Sequence, residues 1–233
     1  MGAMDVRRAT PADATAVCTH WSRFCSRKAI PLDKITRCNH THVNALARMT
    51  ARAFIDDPLY EYLFPEAASR AGLLTWDLGH LLQYGMHFGE VYATASLSGC
   101  AVWLPPGETD FTEERMAEVG MLDSAARIGA DAEKRMLRFV SESEVFHRRV
   151  APHWHWYLVL LGVDPPRQGG GIGSALLAPV LARADEGKLP VYLETANPDN
   201  LAFYQKRGFE VRAQAQLSDG GATLWYMVRG SKP

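Results

Sequence analysis

The segment richest in chemistry reads Leu161-Gly162-Val163-Asp164-Pro165-Pro166-Arg167-Gln168-Gly169-Gly170-Gly171-Ile172-Gly173-Ser174. An apolar run enters a loop with glycine at four of the five positions 169–173, and a helical pattern begins at once. Glycine lets a phosphate come close to the backbone, and loop N–H groups together with a helix N-terminus make an anion site. A plain surface loop is the alternative, and an apolar helix fed directly by the glycines argues against it. Two nucleotide patterns fit badly. A Walker loop needs Gly-Lys-Ser/Thr, and here Ser174 follows Gly173 with no lysine between. In a Rossmann turn Gly171 and Gly173 would be the first two glycines, but Leu176 holds the third place. Glu194 stands near the expected ribose-binding position, yet only about sixty residues follow the loop, too few for a doubly wound dinucleotide sheet.

The elements around this loop must form a mixed sheet. Trp154 to Val163 is apolar and aromatic throughout, so it reads as a central strand buried on both faces. Ile172 to Glu186 is a helix, Val191 to Glu194 a second buried strand, and Pro198 to Lys206 a short helix stopped at Gly208. Glu210 to Leu217 and Ala222 to Val228 form a hairpin around Ser218-Asp219-Gly220-Gly221. Upstream, Val6 to Ala9 reads as a short strand, and Thr10 caps a helix that opens with Pro11. Cys18 to Val43 has no clean period and reads as irregular. Helical spacing returns at Leu46, Met49 and Phe54, and Asp57 can cap a turn that begins at Pro58. Ala67 to Gly89 is a long helix with Leu73, Leu74, Leu78, Leu81 and Leu82 on one face. Val91–Ala95 and Cys100–Leu104 are strands, and Phe111 to Val150 holds two or three polar helices. The whole is an α/β domain with one central sheet.

Composition narrows the function. The 233 residues carry 25 Lys plus Arg against 26 Asp plus Glu, a net charge of −1. That leaves no strong field for nucleic acid or an anionic membrane. No apolar run reaches the roughly 18 residues of a membrane-spanning helix, and the start shows no signal-peptide core. A cytoplasmic chain with reduced thiols is expected. The spacing of Cys18, Cys25 and Cys38 matches no C-x₂₋₄-C pair, and His40 and His42 are too close for H-x₃₋₅-H, so no metal is expected. Cys100 has no histidine beside it in sequence, which disfavours covalent cysteine catalysis.

Two motifs together carry a family likeness. Gln168-Gly169-Gly170-Gly171-Ile172-Gly173 matches the pyrophosphate motif R/Q-x-x-G-x-G/A, and Asn200-Leu201-Ala202-Phe203-Tyr204-Gln205-Lys206-Arg207-Gly208-Phe209 matches an asparagine-to-FY-x-x-x-GF signature. The sequence thus resembles the GNAT acyltransferase superfamily. Ala101-Val102-Trp103-Leu104-Pro105-Pro106, Leu161-Gly162-Val163 and Leu193-Glu194-Thr195 make it most similar to puromycin N-acetyltransferase-like enzymes. The likeness covers Asn44 to the C-terminus and Val6 to Val17. Residues 18–43 depart from it and read as an insertion in a single domain spanning 1–233.

The resemblance implies a GNAT fold, in which a mostly antiparallel sheet holds a splayed parallel strand pair. It implies acetyl-CoA as co-substrate and a small-molecule amine as acceptor, such as an antibiotic, toxin or metabolite, in a role of resistance or detoxification. A monomer or homodimer would act by direct transfer in a ternary complex. Leu161, Val163, Gln168, Gly169, Gly170, Gly171, Ile172, Gly173 and Ser174 would bind pantetheine and pyrophosphate, with Asn197 and Asn200 as side-chain contacts. Both asparagines also read as turn and cap residues around Pro198. Tyr204 would protonate the leaving thiolate, since a phenol can supply a proton to a thiol of pKa ~8.5. Glu194 or His155 would take the proton of the amine. Asp56 and Asp57 would meet a cationic acceptor, with Tyr60 and Trp103 as an aromatic wall. The rivals are a non-catalytic acyl-CoA-binding module and a protein or peptide N-acetyltransferase.

Overall fold

A computed structural model describes residues 34–122 and 124–231. The expected strand Val6–Ala9, the Thr10 cap, Cys18 and Cys25 lie outside them. Strand β1 (Ile35–Arg37) comes first, then a 3₁₀ turn (His40–His42) whose Asn39 side chain accepts from the Thr41 N–H. So the end of the stretch read as irregular is regular. Three residues are too short for a period to show, but Ile35 and Thr36 are β-branched and pair with Thr94 and Ala93.

Helix α1 (Val43–Ala53) buries Leu46 and Met49. Helix α2 (Pro58–Leu63) starts as expected: the Asp57 side chain caps it by accepting from the Leu59 N–H, with Pro58 in the first turn. Helix α3 (Ala67–Phe88) buries Leu74, Leu78 and Leu82 completely, with Leu73 and Leu81 flanking them. Strands β2 (Glu90–Thr94) and β3 (Gly99–Leu104) follow. The polar stretch forms three helices, α4 (Glu113–Glu118), α5 (Ser124–Ile128) and α6 (Ala130–Val150).

Strand β4 (Trp156–Val163) begins two residues later than expected, because Trp154 turns out to solvent and lies over Gly107. Helix α7 (Ile172–Glu186), strand β5 (Val191–Thr195), helix α8 (Leu201–Gln205) and the hairpin β6 (Phe209–Gln216) and β7 (Thr223–Arg229) complete the order.

The seven strands run β1-β2-β3-β4-β5-β7-β6, antiparallel except for β4 with β5. That parallel pair is joined only at Trp156↔Val191 and Tyr157↔Tyr192. Beyond it the strands separate, while β4 keeps its ladder to β3 as far as Val163. The β3–β4 register shifts between Val102 and Trp103, where Val159 is the extra residue. Such a bulge bends the strand that carries it.

Each face of the sheet has its own packing. Helices α7 and α8 cover Ala101, Trp103, Trp156, Leu158, Val191, Leu193 and Met227. On the other face α1 to α3 cover β2 and β3, and α6 covers Tyr157, Tyr192, Leu224 and Tyr226.

Candidate active site

The place where β4 and β5 part is the centre of the site. From Leu158 to Val163 the edge of β4 toward β5 has no ladder partner. At the end of β4, Gly171 takes φ +86° and Gly169 φ +75°, the left-handed region that a side chain resists. Gly171 is the N-cap of α7 and supplies no capping side chain. The first bond of the helix is Ala175 N–H to the Gly171 carbonyl, so the N–H groups of Ile172, Gly173 and Ser174 have no partner within the helix. A Cβ at Gly169 would meet nothing, which leaves the loop backbone open on that side. This cradle fits an anionic diphosphate.

The other expected cofactor contacts are placed around it. The Gln168 amide donates to the Val163 carbonyl at 3.1 Å and braces the loop. Leu161 and Val163 face α7. Asn197 caps the turn before α8 by accepting from the Asp199 N–H. The Asn200 amide donates to Thr195 Oγ1 at 3.4 Å. Ser174 Oγ accepts from Arg207, whose guanidinium also lies 3.5 Å above the Phe203 ring centre. Sequence reasoning passed over Arg207, which sits inside the second motif.

Tyr204 and Glu194 come from opposite faces. Tyr204 is packed with Phe209 and Met227 beneath α7 and α8, while Glu194 alternates with Leu193 and so points to the α6 side. The phenol nevertheless feels the charges of Asp57 and Glu194, and burial pushes its pKa up. No described residue hydrogen-bonds its hydroxyl. Burial also pushes the Glu194 carboxyl up to about 7. Its Oε1 accepts from the Tyr157 hydroxyl, and its buried Oε2 has no partner among the described residues.

His155 does not offer a nitrogen to a substrate. It is buried, its Nδ1 donates to the Pro152 carbonyl at 2.6 Å, and its Nε2 lies 2.9 Å from His147 Nε2. A carbonyl only accepts, so His155 carries its proton on Nδ1 and takes a hydrogen bond from His147 at Nε2. Burial pushes both imidazoles down, His147 to about 3. The expectation of a base here is corrected by this pairing, which strand parity could not reveal.

The acceptor candidates divide. Asp57 is half-buried, and burial pushes it up to about 6, while Asp56 is exposed. Tyr60 is buried edge-on to Phe54 and feels the charges of Asp57 and Asp77. Trp103 shares no wall with Tyr60: it lies fully buried on the opposite face with α7, because Ala101 and Trp103 alternate with Cys100 and Val102. Asp77 was missed. It lies among the leucines of α3, and burial alone pushes it up to about 7.

Among the described residues no three His, Cys, Asp or Glu side chains converge as a metal cage, and no helix is long and apolar enough to cross a membrane. A cavity of about 630 Å³ beside Arg149, Pro152, Pro190 and Arg212 includes none of these site residues.

Residues 97–209 match the acetyltransferase (GNAT) family. That likeness spans just under half of the chain. The protein is an acyltransferase, and enzymes of the matched family draw on acetyl-CoA. An uncharacterized N-acetyltransferase, C550.08, of Schizosaccharomyces pombe is 24% identical over 172 residues, 71% of this chain and 70% of that protein. The GNAT fold is shared with the histone acetyltransferase HPA2 and related acetyltransferase from Corynebacterium glutamicum, at TM-score 0.58 and 21% identity over 87% of this chain and 98% of that one. It is shared too with arylalkylamine N-acetyltransferase 2 from Aedes aegypti, at TM-score 0.57 and 12% identity over 85% and 99%.

Proposed function

We propose that the protein moves the acetyl group of acetyl-CoA to a primary amine of a small molecule, by direct transfer in a ternary complex. The observation that carries this is the parting of β4 and β5 beyond Tyr157 and Tyr192, with Glu194 on one face, Tyr204 on the other and the glycine cradle at the end of β4. Val163, Gly169, Gly171, Gly173 and Ser174 would hold the pantetheine and pyrophosphate through backbone N–H groups. When bound, acetyl-CoA supplies an activated thioester.

Glu194 Oε2 takes one proton from the ammonium, which frees the lone pair for attack on the thioester carbonyl. The C–N bond forms and the C–S bond breaks. Tyr204 gives its proton to the departing sulfur, and the tyrosinate then takes the second proton of the new amide nitrogen. Glu194 returns its proton to solvent. The raised pKa keeps Tyr204 protonated at every working pH, as a general acid requires, and makes the charge developing on sulfur the draw for the transfer.

A small, cationic acceptor is favoured by the half-buried Asp57 beside Tyr60. It is favoured also by the turn at 218–221, which is tied down on that side. Asp219 accepts from Tyr62 and pairs with Arg138, and Glu142 holds Ser218. Such a rim suits a small molecule better than an extended peptide. The sequence likeness to puromycin N-acetyltransferase-like enzymes points to an antibiotic, toxin or metabolite amine, met in the cytoplasm by a monomer or homodimer.

A panel of small amines, lysine peptides and peptide N-termini, each with acetyl-CoA and read by release of CoA thiol, tests this. Turnover should concentrate in the small amines. Peptides as the only substrates would move the reading to a protein acetyltransferase. Tight acetyl-CoA binding with no turnover on any amine would make this a binding module.

A further inference from the structure

Glu194 is held in a tyrosine nest that the two family motifs do not contain. On the α6 side of the sheet, Tyr157 of β4 and Tyr192 of β5 stand in register with ring centres 5.1 Å apart. His147 of α6 stacks on Tyr192 at 4.2 Å and 2° and lies 4.9 Å from Tyr157. His155 then fixes His147 through the 2.9 Å imidazole pair. Both tyrosines are locked by packing, yet their hydroxyls do different things. That of Tyr157 donates to Glu194 Oε1. That of Tyr192 is buried beside the carboxyl and interacts with it, without completing a hydrogen bond of full geometry.

We propose that Tyr157 is a positioning residue of the transfer site: its hydroxyl engages Glu194 Oε1 and leaves Oε2 as the atom that takes the proton of the acceptor. This rests on Glu194 being the base. The physical reason is the opposition of two effects. Taking a carboxyl out of water favours its neutral form, and a hydrogen bond donated to it favours the ionised form. Among the groups that face Glu194, Tyr157 donates the one bond of full hydrogen-bond geometry, and the Tyr192 hydroxyl beside it favours the ionised form more weakly. Glu144 of α6 adds a like charge. Tyr226 of β7, opposite Glu194 in the ladder, and Tyr204 of α8 are phenols whose pKa the Glu194 charge raises. His147 presents the face of a neutral ring to Tyr192. Without the Tyr157 hydroxyl the carboxyl would stay protonated to higher pH, and Oε1 would lose its donor.

The test compares wild type with Tyr157→Phe, Tyr192→Phe and Glu194→Gln. Tyr157→Phe keeps the ring and its stacking and removes one donor. Carbon-13 labelling of glutamate, with the Glu194 resonance identified by its loss in Glu194→Gln, follows the titration without any acceptor. The midpoint should lie near 7 in wild type and about one pH unit higher or more in Tyr157→Phe. It should rise by clearly less in Tyr192→Phe, whose hydroxyl lies beside the carboxyl without completing a hydrogen bond of full geometry.

With the fastest amine of the panel, the acid limb of kcat/KM should move with the midpoint. The rate at pH 7 should then fall about fivefold, the ratio of ionised fractions, and recover near pH 9.5. KM for acetyl-CoA should not change. An unmoved midpoint in Tyr157→Phe, an equal shift in Tyr192→Phe, or a rate deficit that persists at high pH would each overturn the proposal. If Glu194→Gln keeps full turnover, the assignment of the base fails and the proposal falls with it. A dead Glu194→Gln beside an unaffected Tyr157→Phe sinks the proposal alone.

Discussion

At one end of the sheet the glycine loop, proposed to hold the cofactor, presents backbone N–H groups from a handful of consecutive residues. On the sheet's α6 face, the carboxyl proposed to take the acceptor's proton is set by side chains from β4, β5, β7 and α6. The first surface is made by what is absent. Gly169 and Gly171 lack the Cβ that would disfavour their φ, and α7 lacks a capping side chain. The second is made by what is crowded together, four rings around one carboxylate. Backbone geometry binds; buried side chains tune proton affinity. The two surfaces should therefore fail in different ways.

The largest expected effect lies where they meet. Tyr204→Phe keeps the packing with Phe209 and removes one proton, so kcat should fall roughly 10²–10⁴-fold while acetyl-CoA affinity stays within a few-fold. Measuring both on one purified variant decides it. If more than about a third of kcat survives, another group protonates the thiolate and Tyr204 is a packing residue.

Next is Gly171→Glu. It places a side chain at φ +86° and a negative charge in the cradle. Acetyl-CoA affinity by calorimetry should drop about 100-fold or more, from like-charge contact plus the cost of the left-handed backbone, while the melting curve stays cooperative. Unchanged affinity would locate the phosphates elsewhere.

The smallest effect separates the two surfaces by pH alone. Glu194 is protonated below about 7, so the fraction able to act as base, and with it kcat/KM, should fall about tenfold per pH unit under that point. The acetyl-CoA Kd should change less than about threefold between pH 6 and 8, because backbone N–H groups do not titrate. Parallel losses in binding and turnover would erase the distinction.

The same contrast explains what could be read beforehand. Gly169 to Gly173, the Asp57 cap and the leucine face of α3 are local patterns, and the sheet and its helices followed from such patterns with ends moved by one to three residues. Strand β1 was lost because three residues show no period. Glu194 stood out as a candidate because it lies near the end of a buried strand. Its donor Tyr157 did not, since a tyrosine in an aromatic strand carries no mark of the partner that register supplies 37 residues away. His155 was offered as a base for the same reason: nothing local shows that His147, which pairs with it, comes from α6. Trp103 went to the wrong side because its strand is buried on both.

The bulge at Val159 carries one more consequence. Leu161 and Val163 would face α7 whether or not it were there, since removing one residue from the doubled pair Val159-Leu160 restores simple alternation. A chain shortened by that one residue would look unchanged by hydrophobic pattern, and its core would be filled. Its straightened β4 would be free to keep pairing with β5 past Tyr157 and close the parting in which thioester and amine are proposed to meet. Substitution at Val159 is a matter of fit; deletion there is a matter of arithmetic, and one missing codon turns an open seam into an ordinary sheet.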